Sequence, residues 1–146
     1  MTSPAIKLQP ASLEVSSRGA VTGVLHFIVD GLGFPDASWN DLVVVVLSWW
    51  CATMAKVESG QFISAQLRFM DGPFAVQLEP SGTGKDLRLK FLRQGSLVSS
   101  GTMVCDELRE QVLAAGKQVL EFCNCVGATG DDVEHLRQGV AALSEC

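Results

Sequence analysis

At 146 residues, with 47% hydrophobic and 18% charged side chains, the chain has the size and composition of one packed domain rather than a disordered segment. A net charge of −5 and a pI near 4.9 argue against a general nucleic-acid binder, because phosphate contacts need a net basic footprint. No apolar run reaches the ~18–20 residues that span a bilayer, and no basic stretch leads into an apolar one near residue 1, so a cytoplasmic protein that does not enter a membrane is expected.

In chain order, residues 5–16 alternate apolar and polar in two pieces of opposite parity, with Pro10 between them. A bulge or an edge position at Pro10 would account for the slip. After a turn at 16–19, residues 21–29 read as a second strand. Its second face, Val24, His26 and Ile28, is more apolar than a solvated face should be. Residues 30–37 then form a loop with two glycines and a proline, in which Asp30, Phe34 and Asp36 gather just before Trp39.

Residues 36–57 hold all three tryptophans and four consecutive valines. The run Leu42–Leu47 also suits a strand buried on both faces. A helix is favoured because Ser38 and Asp41 have the form of a capping box and no Gly or Pro follows until Gly60. At helical spacing Leu42, Val43, Val46, Leu47, Trp49, Trp50, Met54 and Val57 share one broad sector, so the rest of the chain should wrap this helix.

Beyond Gly60 the pattern turns to alternation. Ile63, Ala65, Leu67 and Phe69 face in; Met70-Asp71-Gly72-Pro73 reverses the chain; Phe74, Val76 and Leu78 face in again. A loop over Pro80–Lys85 leads to Leu87, Leu89 and Phe91, and Gln94–Ser96 turns into a strand over 97–104, which completes a four-strand antiparallel meander. The last third is helical. Asp106 is the expected N-cap of one helix, Gly127–Gly130 breaks it, and Thr129 with Asp132 caps a second, antiparallel to the first. The expected fold is α+β: a mostly antiparallel sheet of about six strands on a central hydrophobic helix, with two C-terminal helices.

Chemistry is sparse in this pattern. The loop at Pro80–Lys85 resembles a phosphate loop but has Glu79 and Asp86 where Gly and Ser or Thr are obligatory. Five cysteines, an odd number that includes Cys51 within an apolar helix, do not read as a disulfide framework, and Cys123-Asn-Cys125 lacks the second ligand pair of a zinc site. His26 with Asp30 shares a strand parity, yet nothing places a nucleophile beside them. Asp36, Asp41 and Asp71 could be read as a carboxylate metal site, but Asp41 suits capping and Asp71 its turn. No catalytic residue, metal or cofactor is therefore expected, and a small enzyme or ligand-binding domain with a pocket between sheet and helix is the alternative.

The combination Asp36-x-x-Trp39-x-Asp41, Leu47-x-Trp49-Trp50 and Phe69-Met70-Asp71-Gly72-Pro73-Phe74 resembles a recurring pattern in small bacterial cytosolic proteins, some of which resemble immunity proteins that neutralise a cognate toxin. The likeness covers residues 34–78, and nothing in 105–146 matches it. It implies a binding protein without catalysis, with a toxin as the protein partner. The residues expected at that contact are Asp30, Phe34 and Asp36, on an irregular loop beside a rigid helix. The apolar second face of the 21–29 strand also allows a homodimer.

Overall fold

The computed structural model describes every residue except Met1, Thr2, Gln61, Asp71 and Thr83. Among the described residues nine short strands form two antiparallel sheets around one helix, where about six strands in a single sheet were expected. The first sheet is built on β3 (Val21–Val29). Along one edge of β3 run β1 (Ala5–Leu8) and β2 (Glu14–Val15), separated by a 3-10 turn at Pro10–Ser12. That turn is the parity slip seen in the sequence. The Gln9 N–H donates to the Val24 carbonyl and the Ser12 hydroxyl accepts the Val24 N–H, so the ladder is bridged across the interruption.

The other edge carries β4 (Leu32–Phe34) and β5 (Asn40–Asp41). Both fall where a loop was expected. Asp30 and Gly31, with φ of 50° and 79°, make a two-residue hairpin from β3 into β4, the turn whose twist matches its strands. The segment after β4 folds back on it, and a Cβ at Gly33 would lie 2.5 Å from the Ala37 nitrogen.

Helix α1 (Val43–Glu58) is the centre, as expected, but it starts later than the capping-box pattern implied. Leu42 holds the cap position without a side-chain bond, and Asp41 is buried in β5. Val43, Val46, Leu47, Trp50, Met54 and Val57 are buried as expected, and so are Val44 and Cys51 on the opposite flank. Trp49 is not. It is 41% exposed.

The meander forms the second sheet, in the order β6 (Ala65–Arg68), β7 (Phe74–Pro80), β8 (Asp86–Arg93) and β9 (Ser96–Val104). Leu67, Val76, Leu78, Leu87, Leu89 and Phe91 point into the core, whereas Ile63 precedes β6 and is 92% exposed, against expectation. The expected reversal at 70–73 joins β6 to β7, though its Asp71 lies outside the described residues. Helix α1 lies along the free edge of β6. The Trp50 Nε1–H donates to the Arg68 carbonyl at 2.8 Å and the Thr53 hydroxyl to the Gln66 carbonyl at 3.1 Å, so helix side chains occupy the place of a neighbouring strand.

Helices α2 (Cys105–Val126) and α3 (Asp131–Ser144) close the other flank of α1. They run antiparallel, with Arg109 near the start of α2 bonded to the carbonyl of Cys146. Gly127, at φ 70°, ends α2 with Ala128 N–H on the Cys123 carbonyl and Gly127 N–H on that of Asn124. Neither expected N-cap makes a side-chain bond: α2 starts after Val104 and α3 after Gly130. The Asp106 carboxylate pairs with Lys85 at 3.8 Å instead. The stripe Val133, Leu136, Val140 and Leu143 is buried, and Gly139 lies against Cys51 of α1.

Candidate functional site

The motif that carries the resemblance is a joint between the two sheets. The buried Asp41 carboxylate accepts three hydrogen bonds: from Trp39 Nε1 at 2.9 Å, from the Leu42 amide at 2.8 Å and from the Met70 amide at 3.1 Å. A buried carboxylate must satisfy its oxygens, and this tertiary demand displaces the helix cap that the sequence suggested. Trp39 packs edge-on against Phe69 and Phe74, with ring centroids 6.2 and 5.1 Å away, and Trp50 meets Phe27 and Phe69 at 5.5 and 5.4 Å. These residues hold the architecture.

The three expected contact residues have separate fates. Phe34 is 5% exposed, with its ring against Phe69, Phe74 and Phe91, so it belongs to the core and offers no surface. Asp30 and Asp36 are exposed. Asp30 sits in the hairpin turn, on the rim of an open cleft of about 540 Å³ shared with Ser3, Arg88 and Ser99–Thr102. Asp36 accepts the Ser38 amide at 2.6 Å and is the carboxylate whose field reaches His26. The apolar second face of β3 is covered in part: Val24 and Ile28 are half-buried, while His26 is 3% exposed and its Nδ1 has no hydrogen-bond partner among the described residues.

Burial holds the His26 imidazole below its ordinary value of 6.5, against the upward pull of Asp36 and with a smaller downward push from Lys7. The unfolded chain takes up the proton first, so stability is full above 6.5 and falls as the pH drops below it, until the folded imidazole also protonates. Urea melts stepped downward from pH 6.5 should show this slope, and His26→Gln should flatten it. A difference between the two proteins that stays constant with pH would refute the assignment.

Cys123 and Cys125 do not converge. Cys123 is buried and Cys125 exposed, as helix positions two apart must diverge. Burial pushes the Cys51 thiol up to about 11, and burial with the Glu58 carboxylate at 3.3 Å pushes Cys105 up to about 12. Both are thiols rather than thiolates at neutral pH, and so poor nucleophiles and metal ligands. Among the described residues, no three His, Cys, Asp or Glu side chains stand where they could share a metal ion. No helix of the described residues is long and apolar enough to cross a membrane.

An unanticipated surface lies at the corner where α1 meets the β6–β7 and β8–β9 turns. Trp49, Arg68, Met70, Pro73, Phe74 and Leu92 line an open groove of about 420 Å³. The Arg93 guanidinium lies 5.4 Å above the Phe74 ring, which stiffens the aromatic wall. Trp49 precedes Trp50 by one step of about 100°, which turns it out of the core. The sequence held a sign of this: Ala52, Thr53 and Lys56, which share its face, are not core residues. No protein-family model matches the chain, nor does any curated protein or solved structure.

Proposed function

We propose that the chain is a protein-binding protein without catalysis, of the immunity type that neutralises a cognate bacterial toxin, and that Trp49 anchors the contact. The observation that supports it is the groove itself. Tryptophan, arginine and methionine are enriched at protein interfaces, and Trp and Arg dominate their hot spots. Here an exposed Trp49 stands beside Arg68 and half-buried Met70 on a rigid helix and sheet, so little side-chain entropy is lost on binding. The net charge of −5, concentrated as −5 in residues 105–146, would steer a basic partner from a distance.

A tagged chain should capture a specific protein from cells that carry its gene. Trp49→Ala should weaken that complex about tenfold or more, as hot-spot truncations do, and shift the stability by less than about 1 kcal/mol. Asp30→Lys serves as the comparison, because it tests the acidic loop and leaves the groove intact. Full binding by Trp49→Ala with loss in Asp30→Lys would move the contact to the loop. Turnover of a small substrate with no captured protein would favour the enzyme reading.

A further inference from the structure

The sheet edges of this fold are treated unequally. The β6 edge is closed by Trp50 and Thr53, and the β1 edge by Gln111, whose side-chain oxygen accepts the Ile6 amide at 2.7 Å. The edge of β9 away from β8 has no such hydrogen-bonded cover: Pro4 packs on the strand at Gly101, but no side chain or backbone group of the described residues bonds to the edge. Edge strands are usually blunted by charge or proline. The nine residues of β9, Ser-Leu-Val-Ser-Ser-Gly-Thr-Met-Val, contain neither. Its one blunting device is a bulge near its start, where the register with β8 shifts between Phe91 and Leu92. Leu97, Val98 and Val104 are 59%, 51% and 45% exposed, and the 540 Å³ cleft beneath Asp30 opens beside Ser99–Thr102.

We propose that β9 is the pairing edge of a homodimer, in which two copies join antiparallel along this strand and fuse their four-stranded sheets into one of eight. A second copy is favoured over an unrelated strand because the edge complements itself. Antiparallel pairing sets the exposed Leu97 and Val98 of one copy beside Val104 of the other. It also brings the Ser96 end, where Arg93 stacks over Phe74 and can swing across, toward the partner copy's Asp106 and Glu107, which follow Val104 in the first turn of α2. The basic rows of the two outer faces, Arg88 and Lys90, stay three strand spacings apart, about 14 Å, beyond the ~8–10 Å over which salt leaves charges in contact. Lys90 is further neutralised by Glu79 at 2.9 Å. The proposal uses a strand edge and does not depend on the Trp49 groove.

Sedimentation of the full chain over rising concentration should report a monomer–dimer equilibrium. Ser100→Lys and Thr102→Lys, at exposed positions, place like charges close to one another across the two-fold and should each raise the dissociation constant about tenfold or more. Melting of the dilute monomer should be unchanged. Hydrogen exchange should slow in the β9 amides as wild type concentrates, and not in the variants. A wild-type chain that stays monomeric, or a dimer untouched by both lysines, overturns the proposal. So does protection of β9 that appears only when an extended peptide from another protein is added.

Discussion

Trp50→Ala is expected to destabilise the domain by about 3–5 kcal/mol, the range for truncating a large buried aromatic. Trp50 is fully buried at the centre of α1 and touches both sheets, Phe27 of β3 and Phe69 beside β6. Its loss leaves a cavity that the sheets cannot close without separating from their own partners. The Arg68 carbonyl also loses the donor that caps the β6 edge. Trp50→Phe keeps one six-membered ring and loses that bond with a smaller volume, so it should cost clearly less. Urea melts of the three proteins decide the matter: a loss below about 1 kcal/mol for Trp50→Ala would mean that the central helix is held by something other than this contact.

The second large effect is expected at Asp41. Asp41→Ala removes the acceptor for Trp39 Nε1 and the Leu42 and Met70 amides at once. Each donor left buried and unpaired costs about 1–3 kcal/mol, and relaxation toward water lowers the sum, so a loss of about 2–4 kcal/mol is expected. The sharper check is spatial. Hydrogen exchange at the Met70 amide should quicken beyond what the global loss explains, because that bond ties the β6–β7 turn to the start of α1. Unchanged protection at Met70 would show that the turn is held without Asp41.

Much of this frame is legible in the sequence. Residues 21–29, the four strands of the meander and the stripes of α2 and α3 follow from periodicity, because each element is long enough to repeat its pattern. The strands β4 and β5 are three and two residues long and show no period; they exist because β3 offers them an edge. Ser38 and Asp41 had the right spacing for a capping box, yet the half-buried Trp39 and Met70 donors claimed the carboxylate. Phe34 looked like a loop residue because its strand is so short, and three phenylalanine rings far along the chain make it core. For the site, composition gave only an acidic loop. The Trp49 groove draws its residues from a helix and two turns spread over 49–95, and no local pattern could join them.

The covering of α1 from both sides has a consequence in time. The flank that bears Val44 and Cys51 is shielded by α3, and 86 residues separate Glu58 from Ser144. At 5–20 residues per second, a ribosome needs roughly 4–17 s to cross that interval. Throughout it the nascent chain carries its most apolar helix with one side bare, and that is the state in which chaperones would find it.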